Sequence, residues 1–427
     1  MKVEEAFDAY WAQIKEQHIF MPSALFEAVE PAFADNGFRT AGEIRNILLV
    51  RLDAIGDMVM TSGFIRELRR NYPLARIDMV VNPLVAPMVE LCPHVDSIFT
   101  FDRKLFLQDL AACLDRMRDL CQNALWEKKY DLAICPQWGD EKRDLLLLAY
   151  MSGARERVCY RQAIGLVYYP KANIGPDAED FQRALRFRAG MTPPELIHEV
   201  PRVMYMLKLL GLSVEDDRLE VWVSEKDQAR ARRWLAPYQG ALLVTLGIGA
   251  GSGERKYPIE KYRVALEEIV RRYPKAVFVV LGAASEREDA AYLTAHLPAD
   301  RLLNLTEQTT LRESAAVAAE TALYLGNDTG LMHMAAAAGK PIIMPHIEAM
   351  DRVMECPGLY SAFARFSPWR TPAIILRPEH ALDECGRHLY YGGCREKRVA
   401  HCITQIEPLT IVQAFDAMIQ KMEADEV

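Results

Sequence analysis

Apolar residues fall in short runs separated by longer amphipathic stretches. Asn46-Ile-Leu-Leu-Val-Arg-Leu52 is a nearly continuous apolar run, as in a strand buried on both faces of a parallel sheet. A loop, Asp53 to Asp57, follows. A helical pattern then runs through Phe64, Ile65 and Leu68, ends in basic Glu67-Leu-Arg-Arg70, and is closed by Pro73. Arg76 to Val81 supplies the next strand and completes a β-α-β unit; Ser97 to Phe101 and Asp131 to Cys135 continue the series. Residues 1 to 44 precede it as helical segments and a loop. Residues 150 to 200 read as irregular. A helix from Val200 to Leu210 leads to a link near Leu212 to Leu219.

A second β-α series begins at Ala241-Leu-Leu-Val-Thr-Leu246. It continues with a helix at Ile259 to Tyr273, a strand at Ala276 to Leu281 and a helix at Leu311 to Ala319. Strand Ala322 to Leu325, helix Leu331 to Ala338 and strand Pro341 to Pro345 follow. Gly339 stands where a helix C-cap glycine belongs. The pattern predicts an α/β chain with two Rossmann-like domains. They divide as a helical extension at 1–44, a first domain at 45–215 and a second at 216–427, with the last helix free to pack back on the first domain.

The length of 427 residues suits two domains, and 51% hydrophobic with 26% charged residues describes a packed globular chain. A formal net charge of −8 argues against a nucleic-acid binder. The first residues, MKVEEAFDAYWAQIKEQHIF, lack a signal-peptide pattern, and no apolar run reaches membrane-spanning length, so a cytoplasmic protein is expected. Arg69, Arg70 and Tyr72 are the candidates for a peripheral contact with the inner membrane.

Three segments carry candidate chemistry. Arg51-Leu-Asp-Ala-Ile-Gly-Asp57-Met lies past the carboxyl end of the first strand, where open parallel sheets bind ligands. Gly56 permits an unusual backbone shape, and Asp57 beyond it is placed to act as a general base or, alternatively, to cap the following helix. Gly247-Ile-Gly249-Ala-Gly-Ser-Gly253 with Arg255 and Lys256 suggests close backbone approach to a phosphate and cations to hold a pyrophosphate. It matches neither the dinucleotide fingerprint nor a Walker A loop. Tyr324-Leu-Gly-Asn327-Asp328-Thr329-Gly330-Leu331-Met-His333 reads as a strand-to-helix turn whose free N–H groups favour a diphosphate. Thr329 adds a hydroxyl donor, and Asp328 pairs with Arg255 or Lys256 or meets a sugar hydroxyl. His333, one turn into the helix, is a packing histidine or a ligand.

Together, ILLVRLDAIGDMVMT, GIGAGSGERKYP and GNDTGLMHMAAAAGKPIIM resemble glycosyltransferase family 9, over about residues 45 to 420. The resemblance implies the GT-B fold, two Rossmann-like domains with parallel sheets facing across a cleft, the acceptor on the first and the nucleotide sugar on the second. It implies an inverting transferase without metal or other cofactor. Such an enzyme moves a sugar, heptose from ADP-heptose in the best-known members, onto lipopolysaccharide core or another glycan or glycolipid. Asp57 matches the family's catalytic acid. Gly247, Gly249, Arg255, Lys256, Asn327, Asp328, Thr329, Gly330, Leu331 and His333 match donor-binding segments. Asp53 stands where family members often have a small residue. No two aspartates are separated by a single residue, so the metal-binding Asp-x-Asp of other transferases is missing.

Cys356, Cys385, Cys394 and Cys402, with His388 and His401 between them, are the candidate metal ligands, although a C-x2-C zinc spacing is missing. The rival readings are a transferase with another sugar nucleotide and acceptor, a non-catalytic nucleotide-sugar binder of the same fold, and a nicotinamide-dependent oxidoreductase. The last lacks a glycine fingerprint paired with a downstream acid.

Overall fold

The computed structural model describes residues 2–17, 22–35, 43–104, 110–137, 143–160, 188–190, 198–351, 361–382 and 402–425. Contacts divide the chain into two units. Met1–Ala54, Gly63–Pro193 and Pro201–Asp217 form the first; Ile55–Ser62, Pro194–Val200 and Arg218–Val427 form the second.

The first unit holds a six-stranded parallel sheet: β1 (Asn46–Arg51), β2 (Arg76–Val81), β3 (Ser97–Thr100), β4 (Leu132–Cys135), β5 (Glu156–Tyr160) and β6 (Arg188–Gly190), in the order β3-β2-β1-β4-β5-β6. The chain starts at the centre, winds outward to β3, then returns to the other side of β1. That reversal makes a topological switch point between the carboxyl ends of β1 and β4. Strands β5 and β6 lie inside the stretch that reads as irregular. In β5 the apolar alternation is broken by Arg157, which is nonetheless buried because its Nη1 donates to the Ala154 carbonyl at 2.7 Å. β6 is Arg-Ala-Gly, with no apolar pattern to detect.

The N-terminal helices Val3–Gln17 and Pro22–Asp35 belong to this unit's core. Phe7 stacks on Trp126 with ring centres 5.5 Å apart and meets Phe33 edge-on at 6.0 Å; Phe33 meets Tyr150 edge-on at 6.0 Å. The Trp126 indole donates to the Met151 carbonyl at 2.7 Å, so its polar atom is satisfied where the ring is buried. Arg69 and Arg70, the candidates for an anionic surface, are engaged by carboxylates. Arg69 pairs with Asp96 at 2.5 Å, and Arg70 with Glu67 at 2.9 Å and Glu215 at 2.8 Å. Among the described residues no helix is long and apolar enough to cross a membrane.

The second unit repeats the topology with β7 (Leu242–Gly247), β8 (Ala276–Val280), β9 (Leu302–Asn304), β10 (Leu323–Gly326), β11 (Ile342–Pro345) and β12 (Ala373–Leu376), ordered β12-β11-β10-β7-β8-β9, all parallel. Its switch point lies between β7 and β10. Helices Glu225–Leu235 and Leu311–Glu320 each start in a capping box, Ser224 with Asp227 and Thr310 with Glu313. Gly339 does close the helix Gly330–Ala337. At φ +71° its N–H bonds the Ala336 carbonyl at 2.9 Å, and the Lys340 N–H bonds that of Ala335 at 3.0 Å, a Schellman end. The last helix, Pro408–Asp425, lies in this unit. Ile411, Phe415 and Met418 enter the core shared with Val244 and Leu266, and Asp416 pairs with Arg272 at 2.6 Å.

Asp144, in the helix Arg143–Met151, is a buried and perturbed carboxyl of the first unit. Burial pushes it from 3.8 up to about 6, against the opposing pull of Arg103, which it meets at 3.0 Å. The folded chain therefore binds a proton here that the unfolded chain releases between about pH 4 and 6, so this group's contribution to stability falls as pH rises through that window. We expect the unfolding free energy of the wild type, measured in urea against Asp144→Asn, to drop by ~3 kcal/mol from pH 4 to pH 7. A difference that does not change with pH would refute the assignment.

Candidate active site

The second unit's switch point is organised by Asn327, which is fully buried just past β10. Its side-chain amide donates to the carbonyls of Ile248 at 2.8 Å and Gly249 at 3.1 Å. Its side-chain oxygen accepts from the Tyr257 N–H at 3.2 Å and the Tyr262 hydroxyl at 2.9 Å, and its own N–H bonds the Gly247 carbonyl at 2.9 Å. One side chain thus sews the glycine-rich turn after β7 to the turn after β10. Its donors and acceptor are used inside the protein, and its role here is to hold these turns together.

The glycines answer to close approach. Gly56, Gly247 and Gly249 are absent from the positive-φ positions, so the unusual backbone shape expected at Gly56 is not what selects it. A Cβ on Gly247 would stand 2.1 Å from the Tyr324 hydroxyl, and one on Gly326 would stand 2.4 Å from the Gly247 carbonyl oxygen. That hydroxyl donates to the Asn327 carbonyl at 2.8 Å, beneath the turn.

Thr329 is the N-cap residue of the helix Gly330–Ala337, and its side chain makes no capping bond, leaving first-turn N–H groups at the end of the switch point. Residues Ile55–Ser62, which belong to this unit by their contacts, lie against that turn. A Cβ on Gly330 would stand 2.5 Å from Ile55 Cγ2, and one on Gly56 would stand 2.8 Å from His333 Cδ2. The expected loop at 53–57 is shorter than the sequence suggests: helix Ile55–Asn71 begins at Ile55, with Ala54 as N-cap. Asp57 therefore stands in the first turn, not at the cap. It is partly buried, and its carbonyl accepts from the Thr61 hydroxyl at 2.7 Å.

Of the two expected cations, Arg255 joins the turn. Its Nη1 lies 3.3 Å from Asp328 Oδ2 and its Nε donates to Ser252 Oγ at 3.1 Å, while 34% of its side chain stays exposed. Lys256 turns to Asp289. Asp328 is buried, at 5% exposure. Leu331 packs on the apolar cluster of Leu305 and Val317. His333 is 3% exposed, and among the described residues its Nδ1 has no hydrogen-bond partner. Burial lowers its pKa first, against the raising influence of Asp328, so the ring is neutral at pH 7. His346, also buried, is shifted down for the same first reason.

Glu286 was not singled out from sequence. It is 8% exposed and sits where side chains on Gly249 and Gly282 would go, with Cβ atoms 2.8 and 2.9 Å from it. It accepts from the Ala283 N–H at 2.8 Å and the Ser285 hydroxyl at 2.6 Å. An acid just past the second strand of a Rossmann half is the signal that would have found it.

Cys356, Cys385, Cys394, His388 and His401 lie outside the described residues. Cys402 is buried, and its sulfur accepts from the Leu382 N–H at 3.5 Å. Among the described residues no group of three His, Cys, Asp or Glu is arranged to hold a metal.

Comparisons bear on this geometry. The model of glycosyltransferase family 9 (heptosyltransferase) matches residues 178–344. Lipopolysaccharide heptosyltransferase 2 of Escherichia coli (strain K12) is 22% identical over 387 residues, covering 88% of this chain and 99% of that protein. Among solved structures, a glycosyl transferase family 9 protein from Veillonella parvula superposes with TM-score 0.68 at 17% identity, over 90% of this chain and 99% of that one. Escherichia coli ADP-heptose lps heptosyltransferase II gives 0.63 at 18% identity, over 88% and 99%. An Escherichia coli heptosyltransferase with ADP-2-deoxy-2-fluoro heptose gives 0.59 at 17% identity, over 87% and 99%. The two parallel sheets are those of the GT-B class. By these matches residues 178–344 resemble glycosyltransferase family 9, and most of the chain is similar in sequence and in fold to heptosyltransferases.

Proposed function

We propose that the chain transfers a heptose from ADP-heptose to a hydroxyl of a glycan acceptor, lipopolysaccharide core being the leading candidate, with Asp57 as general base. The observation that carries this reading is the contact between two helix starts: Ile55 and Gly56, beside Asp57, touch Gly330 and His333. A base and a diphosphate cradle must stand near each other for a single displacement, and this packing supports it.

In the proposed step the acceptor oxygen attacks the anomeric carbon while the bond from that carbon to the β-phosphate oxygen breaks. The hydroxyl proton passes to the Asp57 carboxylate, and the nucleoside diphosphate leaves with the electron pair. Its charge is met by the N–H groups of Gly330 and Leu331, the Thr329 hydroxyl and the Arg255 guanidinium. Asp328 holds Arg255 in place. Neutral His333 supports the first turn of both helices. Glu286 stands where the acid of a Rossmann half accepts from ribose hydroxyls. Lys256, paired with Asp289, is assigned a supporting role on the donor side.

We expect Asp57→Asn to lose turnover by a factor of at least about 10³ while keeping donor binding, followed as protection against thermal unfolding. A variant that still turns over at a tenth of the wild-type rate would rule out Asp57 as base. For Arg255→Ala the expected change is about a hundredfold fall in kcat/KM for the donor, of which Arg255→Lys recovers only part. An unchanged donor kcat/KM would remove Arg255 from the diphosphate site. A sugar nucleotide at a hundred times its Kd should stabilise the fold by ~2.7 kcal/mol, and NAD should not; protection by NAD would reopen the oxidoreductase reading.

A further inference from the structure

His346 stands immediately past β11, at the carboxyl end of the strand beside β10. It is 2% exposed, and the displacement proposed above does not use it. Its backbone N–H bonds the Leu376 carbonyl at 2.8 Å, and its Nδ1 accepts from the Glu348 N–H at 3.1 Å. A nitrogen that accepts carries no proton, so in the neutral ring the proton sits on Nε2. Among the described residues no hydrogen bond engages that second N–H. The ring is near enough to Asp328 and Arg255, the pair of the turn after β10, for both charges to act on it.

The loop that carries the ring is tied down. Arg377 donates from Nε to the Glu348 carbonyl and from Nη2 to the Ala349 carbonyl, both at 2.7 Å, and its guanidinium lies 4.2 Å from the centre of the Phe363 ring. The Glu348 carboxylate accepts from the Ser361 hydroxyl at 2.7 Å and the Phe363 N–H at 3.2 Å. Phe363 also meets the imidazole edge-on, with ring centres 6.0 Å apart. A donor held this way loses little freedom when a ligand accepts from it.

Strand order indicates which part of a nucleotide sugar arrives there. Along the carboxyl edge of the second sheet, Glu286 follows β8, the Gly247–Gly249 turn follows β7, the Asp328–Gly330 turn follows β10 and His346 follows β11, in that spatial order. At about 4.8 Å between strands the row spans about 14 Å. With ribose at Glu286 and the diphosphate at the β7–β10 switch point, the group on the far side of the diphosphate extends toward β11, and that group is the sugar. A neutral N–H suits a hydroxyl, whereas phosphate oxygens are better served by the charged Arg255. We infer that His346 is a further donor-site residue, whose Nε2–H donates to a hydroxyl of the transferred sugar. The inference rests on the transferase reading above and adds to it the residue that senses the sugar apart from the nucleotide.

The test uses the full chain and calorimetric titration with ADP-heptose and with ADP. His346→Asn keeps an oxygen for the Glu348 N–H and lacks the distal N–H. It should weaken ADP-heptose about fivefold and leave the Kd of ADP within about twofold of wild type. His346→Gln restores a distal N–H and should recover part of the loss. His346→Phe, which fills the volume against Phe363, covers the case in which His346→Asn fails to fold and should show the same selective loss. A merely structural role, or a contact with the diphosphate, would weaken ADP and ADP-heptose together. That result, or unchanged binding of ADP-heptose, would overturn the inference. A failure of the transferase reading would show separately, as a wild type that binds neither ligand.

Discussion

The carboxamide of Asn327 is the constraint on which the second unit's site rests. Four hydrogen bonds from one buried side chain join the turn after β7 to the turn after β10 and bring Tyr257 and Tyr262 to the same point. A buried amide with any of these bonds missing would carry an uncompensated polar group, so the arrangement tolerates little slack. The turn it fixes also sets the start of helix Gly330–Ala337, the Thr329 hydroxyl, and Arg255 beside Asp328.

Close packing and electrostatics divide the work between them. Tyr324 fills the floor beneath Asn327 only because Gly247 and Gly326 have no Cβ, and helix Ile55–Asn71 reaches helix Gly330–Ala337 only because Gly56 and Gly330 have none. The glycines thus let the Tyr324 ring and the His333 imidazole approach the backbone closely. In that setting Arg255 keeps part of its charge for a ligand: Asp328 lies 3.3 Å away, beyond the tightest pairing distance, and a third of the guanidinium side chain is exposed.

The topology was legible because most strands are apolar on both faces, and such runs stand out: β1, β2, β7, β8 and β11 fall within a residue or two of where their sequence places them. β5 was hidden by its buried Arg157, whose partner is a backbone carbonyl brought close by the fold. β6 and β9 are three residues long, too short for a period to register, and β12, Ala373–Leu376, is a partly exposed edge strand. Helices Glu225–Leu235 and Arg287–His296 escaped because their exposed faces are strongly charged, although Ser224 with Asp227 is a visible start signal. In the site, charge alone leaves Arg255 and Lys256 as equal partners for Asp328, and the fold brings Arg255 to it and Lys256 to Asp289. The reasons for the glycines, the helical setting of Asp57 and the place of Glu286 depend on contacts between segments far apart in sequence, which no local pattern encodes.

The two sheets share one strand order yet present opposite chemistry at their switch points. Past β7 and β10 donors gather: a helix start without a side-chain cap, the Thr329 hydroxyl and a partly exposed guanidinium. Past β1 and β4, Arg51 pairs with Asp53 at 2.9 Å and Arg103 with Asp144 at 3.0 Å. Duplicating a fold supplies two equivalent crevices. Placing the Arg51–Asp53 pair in one and the Asp328–Arg255 turn in the other makes them chemically unequal.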